Sequence, residues 1–310
     1  MQVVIAGGTG FIGQALSESL LADGHQVTLL SRSQNQRRPI AGAALAVWNG
    51  KDMGDWTRSL DGVDAVVNLA GAPLAGEGAL PTRWTRAYKS LIRDSRINAG
   101  RALASAIETL DRPPKVLIQA SGIGVYGSWR DAAPVCDEQC AHADDFLAQL
   151  AVDWEASTAT VEACGVRHVA VRTSVVLDGQ AGALPRIAMP IRFGVGGPLG
   201  SGRQTVSWIH RQDEVRAIRF LMEHEDLRGA FNLAAPDARS NEGFGRALAR
   251  TLHRPFWMPT PGFVMRAMLG EAADLVLRGQ QVMPAALLRA GFEFRFANLE
   301  SALAEIYAAR

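Results

Sequence analysis

A glycine-spaced turn at the start of the chain constrains the fold more than any other feature: Val3-Val4-Ile5-Ala6-Gly7-Gly8-Thr9-Gly10-Phe11-Ile12-Gly13. A β-branched run leads into glycines at 7, 10 and 13, and Phe11–Asp23 follows with apolar residues at three- and four-residue steps, which predicts a helix. Strand, glycine turn and helix start stand in the order that a dinucleotide diphosphate requires. Gly7 permits the tight turn, Gly10 lets the backbone approach the pyrophosphate, and Gly13 lets the helix pack close to the strand. The helix N-terminus adds free N–H donors and partial positive charge. The spacing is G-x-x-G-x-x-G rather than G-x-G-x-x-G, with the same mechanical roles, so Gly7, Thr9, Gly10, Phe11, Ile12 and Gly13 are the expected cofactor loop.

The chain continues as alternating short strands and longer helices, which predicts a Rossmann-type doubly wound α/β sheet. Strands are expected at Val3–Ala6, Gln26–Leu30, Ala44–Trp48, Ala65–Leu69, Lys115–Ala120 and His168–Val171. Helices are expected at Trp84–Leu110 and Asp144–Cys164, and later at Asp213–His224 and Asn241–Leu252. Gly179 to Gly202 is rich in glycine and proline and reads as loops shaped around a site. The expected organisation is an NADP(H)-binding domain over 1–175, with part of the later chain returning to its core. Substrate-lobe loops and helices follow over 176–255, and a small C-terminal helical domain over 256–310.

The coenzyme preference comes from the end of the second strand, Leu29-Leu30-Ser31-Arg32, where an NAD-preferring fold places an acid on the ribose 2′-OH. No Asp or Glu occurs between Gly24 and Gly50. Arg32 stands there instead, beside Ser31, and a guanidinium meets a 2′-phosphate through charge-assisted hydrogen bonds. NADP(H) is therefore the expected cofactor. Arg37 and Arg38 add charge nearby, or are simply solvated loop residues.

Other classes are disfavoured. With 310 residues and 48% hydrophobic composition the chain can bury a sizeable core, and 32 basic against 31 acidic residues offer no general attraction for nucleic acid or an anionic membrane. No apolar run approaches the roughly 20 residues of a membrane span. The first residues show no export signal, and three cysteines are too few and too odd for a disulfide framework, so a cytoplasmic protein is expected. Cys136, Cys140 and His142 lack a fourth ligand at a recognisable spacing, so no metal site is expected.

Taken in order, Gly7 to Gly13, Asn68-Leu69-Ala70-Gly71 and Ser121-x-x-x-x-Tyr126-Gly127 resemble the extended short-chain dehydrogenase/reductases. Arg83-Trp84, Ser95-Arg96, Trp154-Glu155, Gly200-Ser201-Gly202-x-Gln204, Ser207-Trp208-Ile209-His210 and Gly279-Gln280-Gln281-Val282-Met283-Pro284 are similar to an uncharacterised "epimerase family" branch with a short C-terminal domain. The resemblance implies that Asn68, Leu69, Ala70 and Gly71 line the adenine and ribose side of the cofactor, that Asn98 steadies the sheet, and that Ser121 faces the nicotinamide. It also implies an oxidoreductase, or a nucleotide-sugar epimerase-like enzyme, acting on a small substrate.

One departure stands out. Active members carry Tyr-x-x-x-Lys on a helix, but Asp145 to Glu155 contains neither residue. Ser121 and Tyr126 are the remaining catalytic candidates, and the alternative is an NADP(H)-binding regulator with weak or no turnover. Substrate candidates are Trp84 and Lys89, with Arg93 on the same helical face as Lys89, and Arg203, Gln204, Trp208 and His210. Asp213 is expected to cap the helix that begins there.

Overall fold

The computed structural model describes residues 1–33, 40–76, 78 and 82–308. Arg37 and Arg38 lie outside the described residues. Seven strands form the central sheet: β1 (Gln2–Ala6), β2 (Gln26–Ser31), β3 (Ala44–Val47), β4 (Ala65–Asn68), β5 (Val116–Gly122), β6 (Arg167–Thr173) and β7 (Gly229–Leu233). Their order is β7-β6-β5-β4-β1-β2-β3, and every pair is parallel. This is a Rossmann-type doubly wound sheet.

The inner strands are largely apolar on both faces because helices cover both. Along β1, Val3 and Ile5 pack with Leu16 and Leu20 of α1 (Phe11–Ala22) and Ile218 and Leu221 of α5 (Arg211–Glu223). The alternate residues Val4 and Ala6 pack with Leu103 and Ile107 of α2 (Arg86–Ile107). Helix α3 (Phe146–Ala156) lies beside α2. The chain runs outward from β1 to β2 and β3, then returns to β4 on the other side of β1. The carboxyl ends of β1 and β4 therefore flank the reversal at which open α/β sheets bind ligands.

A second apolar cluster joins α4 (Leu184–Arg192), α6 (Asn241–Thr251) and α8 (Leu299–Ala308), with Trp208 fully buried among them. Between α6 and α8, α7 (Gly262–Leu269) packs near Trp84. Strand β7 and helix α5 place part of the later chain in the main core. Among the described residues, no helix is long and apolar enough to cross a membrane.

Three local expectations are corrected. Gly179 to Gly202 is not loop throughout, because α4 forms inside it and buries Leu184, Ala188 and Ile191. Their spacing is that of one helix face, and Pro185 in the first turn is compatible with it. Asp144–Cys164 is not one helix. Ser157 and Thr158 turn their hydroxyls onto the carbonyls of Trp154 and Glu155, and a 3₁₀ helix over Ala159–Cys164 follows.

The third correction concerns Asp213. The N-cap of α5 is His210, whose Nδ1 accepts from the Gln212 N–H. Asp213 is turned inward and fully buried. It accepts the backbone N–H groups of Arg295 (3.0 Å) and Phe296 (2.8 Å) and Nη1 of Arg216 (2.7 Å). It thus ties the C-terminal tail to the sheet-covering helix. Asp213→Ala is expected to cost about 3 kcal/mol in urea unfolding, since it strands buried donors. Limited proteolysis of the variant should cut first near 293–298.

Candidate functional site

At the carboxyl end of β1 the glycines meet backbone rather than solvent. Gly7 has φ +78°, and a Cβ on it would lie 2.7 Å from the Leu69 carbonyl carbon; one on Gly13 would lie 2.4 Å from the Gly7 carbonyl oxygen. The loops after β1 and β4 therefore close on each other, and only glycine leaves room. Gly10 is the N-cap of α1, with no side-chain cap and no acidic residue in the first turn. The N–H groups of that turn are thus left for an anion. This cradle fits a dinucleotide diphosphate.

Next to it β2 ends at Ser31, whose hydroxyl donates to the Ser33 carbonyl, and Arg32 follows, exposed. No carboxylate among the described residues pairs with Arg32. On the other side, Ala70 N–H donates to Asn68 Oδ1. A Cβ on Gly71 would lie 3.0 Å from the Arg96 guanidinium, which donates to the carbonyls of Ala72 and Ile92. Burial brings the Arg96 pKa down to about 10.

Beyond the crevice a buried polar seam crosses the sheet. In register, Ser121 of β5 lies beside Arg172 of β6, and Arg172 beside Asn232 of β7. Neighbours in register share a face, and α3 covers this one with Glu155 in its last turn. Ser121 Oγ donates to Glu155 Oε1 at 2.6 Å. Arg172 grips the same carboxylate with two hydrogen bonds, Nε to Oε1 at 2.9 Å and Nη2 to Oε2 at 3.0 Å. Its Nη1 donates to the Tyr126 hydroxyl (3.0 Å), and Nη2 also donates to Nε2 of His142.

Tyr126 in turn donates to Asn232 Oδ1 at 2.8 Å. Its hydroxyl is thus engaged as both donor and acceptor. Burial pushes its pKa up to about 12, against the opposing charge of Arg172. Burial alone works against the Arg172 charge, but the hydrogen bonds and charge of Glu155 outweigh it and leave its pKa above the ordinary arginine value. A companion row links Asn68, Gln119, Thr158 and His168. The amide that joins strands is therefore Asn68, while Asn98 is only half-buried.

On the other face of the sheet, the carboxyl of Glu214 in the first turn of α5 is fully buried. Its Oε1 accepts from Thr173 Oγ1 at 2.7 Å, and Oε2 has no partner among the described residues. Burial raises its pKa to about 8.

Of the expected substrate residues, Trp84 and Lys89 meet at the Phe146 ring, and the others are held by partners of their own. Lys89 pairs with Glu271 and lies over the Phe146 ring, while Arg93 pairs with Asp153, so the two share no common anion. Trp84 donates to the Leu74 carbonyl and meets Phe146 edge-on. Arg203 pairs with Asp131 at the surface. Gln204 is buried and donates to the carbonyls of Leu199 and Val276. Trp208 Nε1 donates to the Asp237 carbonyl, and His210 donates to Glu305 from Nε2.

Reading the sequence names Glu155 only as part of a motif, without a role, and misses Arg172 and Asn232. A signal existed: polar residues occur at alternate positions near the ends of otherwise apolar strands, as at Gln119 and Ser121. On a buried strand such a residue requires a partner.

Comparison with known proteins gives consistent matches. Residues 3–234 match the model of the NAD dependent epimerase/dehydratase family, and residues 260–306 match a domain of unknown function, DUF1731. The chain is 36% identical over 310 residues to epimerase family protein YfhF of Bacillus subtilis (strain 168), covering 100% of this chain and 99% of the relative. It is 40% identical over 302 residues to epimerase family protein ML0860 of Mycobacterium leprae (strain TN), covering 97% and 94%. Among solved structures, human epimerase family protein SDR39U1 (isoform2), crystallised with NADPH, aligns with a TM-score of 0.87 and 33% identity over 100% of both chains.

Proposed function

We propose that this chain, which belongs to the NAD dependent epimerase/dehydratase family, binds NADP(H) and acts as an oxidoreductase on a small hydroxyl- or carbonyl-bearing substrate. One observation carries the reading: a glycine cradle at the sheet's topological reversal is flanked by Arg32, with no acid to receive a ribose 2′-OH. The human relative crystallised with NADPH supports it. The cradle of Gly7, Thr9, Gly10, Phe11, Ile12 and Gly13 would hold the diphosphate, Ser31 and Arg32 the 2′-phosphate, and Leu69, Ala70 and Gly71 the adenosine side.

When bound, the nicotinamide supplies hydride transfer to or from a carbon bearing oxygen. The chain's part is to orient that oxygen and handle its proton, and Ser121 at the end of β5 is the group for it. Tyr126 supports the site from below by holding Arg172. Epimerisation would use the same apparatus twice, on opposite faces of one carbon. Three unpaired thiols suit a cytoplasmic setting.

The coenzyme assignment is tested by Arg32→Ala. Calorimetry should show NADPH affinity falling roughly tenfold or more, with NADH affinity changed less than twofold. Equal losses for both coenzymes would refute the role of Arg32. Turnover is tested by following the reduced-nicotinamide absorbance with NADPH and a panel of carbonyl compounds and nucleotide sugars.

A further inference from the structure

We infer that Glu155, acting through Ser121, is the proton acceptor that stands in for the absent Tyr-x-x-x-Lys pair when an alcohol is oxidised. The inference rests on the reading above that an NADP nicotinamide lies beside Ser121. Ser121 has one hydroxyl hydrogen, and it is committed to Glu155 Oε1 at 2.6 Å. What the serine can offer a substrate is lone pairs. While Glu155 is ionised, the serine accepts a hydrogen bond from a carbinol O–H and has nothing to donate to a carbonyl oxygen.

Glu155 is equipped for the next step. Its side chain is 16% exposed, and the Arg172 behind it is 4% exposed and bonded to both carboxylate oxygens. The pair keeps a charged acceptor in a nearly dry place. Arginine does not release its own proton there, so the only empty proton site in the chain Ser121–Glu155–Arg172 is the carboxylate. Tyr126 offers no competing site, because its hydroxyl already donates to Asn232 and accepts from Arg172.

The carbinol O–H proton passes to Ser121 Oγ as the serine's own proton passes to Glu155 Oε1. The carbinol C–H bond breaks and its hydride goes to oxidised NADP. The products are a carbonyl compound, NADPH and a protonated Glu155, which must lose its proton before the next turnover. Glu155 thus positions Ser121 and receives its proton without touching the substrate.

The test needs no substrate. NADP⁺ carries a positive charge on its nicotinamide and NADPH does not, so the charge on Glu155 should bias the ratio of their affinities. Calorimetric titration of the full chain at one fixed pH gives that ratio. Glu155→Gln removes a negative charge and leaves Arg172 uncompensated. The preference for NADP⁺ over NADPH should fall by roughly tenfold. Arg172→Met does the opposite, and the preference should rise.

Opposite signs within one ion pair cannot come from loss of fold, which weakens both coenzymes together. Shifts of the same sign, or an unchanged ratio in both variants, would overturn the inference while leaving the coenzyme reading intact. Failure of the unmodified chain to bind either coenzyme would overturn that reading and this inference with it.

Discussion

Gly13→Ala is expected to lower NADPH affinity by roughly a hundredfold or more, although alanine is the better helix former by about 1 kcal/mol. The new Cβ would lie 2.4 Å from the Gly7 carbonyl oxygen and 2.6 Å from the Gly8 Cα. Both are backbone atoms, so no side chain can rotate away. Helix α1 must shift off the strand, and the shift moves the N–H groups that would face the diphosphate. Gly24→Ala is the control. Gly24 lies at positive φ, +77°, which Gly13 does not, and a Cβ there meets nothing within 4 Å. It should lose about 1 kcal/mol of stability from backbone strain and leave affinity unchanged. Calorimetry and thermal melts on both variants decide the matter, and a Gly13→Ala protein that binds NADPH like the unmodified chain would show that the diphosphate sits elsewhere.

The crevice could be read from the sequence because its determinants are local. Glycines three residues apart, a preceding β-branched run and the absence of acids around Arg32 all lie within the first fifty residues. The inner strands were legible for a related reason: a strand buried on both faces must be an apolar run, and each expected strand lies within an observed one or overruns it by a single residue. Strand β7 escaped because Gly229–Leu233 is short and carries Asn232 in its second half. Helix α4 escaped because its helix-spaced apolar residues are framed by glycine and proline.

The polar seam was not legible at all as a unit. Tyr126 and Asn232 are 106 positions apart, and Ser121 and Glu155 are 34 apart. Sheet register lines up Ser121, Arg172 and Asn232, and the turn with Tyr126 and the helix with Glu155 pack onto that row, none of which a local pattern states. The absence of Tyr-x-x-x-Lys is therefore a plain gap when read along the chain, whereas the folded chain has Ser121 and Arg172 at neighbouring strand ends, both hydrogen-bonded to Glu155 on the helix that covers them. This charged arrangement is a costly one to bury. Such pairs are tolerated when every donor and acceptor is used, and here Arg172 uses all three of its nitrogens.

Glu214 breaks that rule, and its consequence is a pH-dependent stability of large size. With one carboxyl oxygen unpartnered among the described residues and the side chain fully buried, burial raises its pKa from 4.5 to about 8. Between those values the folded protein holds a proton that the unfolded chain has released, so rising pH favours unfolding. The contribution is fully retained below about pH 4.5 and is lost progressively as pH climbs through 8, above which it is constant. The total swing is on the order of a few kcal/mol, since each tenfold difference in proton affinity between the folded and unfolded chain corresponds to about 1.4 kcal/mol. Glu214→Gln keeps the acceptor for Thr173 and cannot ionise. Its melting temperature relative to the unmodified chain should therefore rise from about pH 5 to about pH 8 by several degrees, whatever constant offset the unpaired amide introduces. Parallel melting curves across that range, with a gap that does not change, would mean that Glu214 is solvated or paired in solution and that the interior between Thr173 and α5 is wetter than its packing indicates.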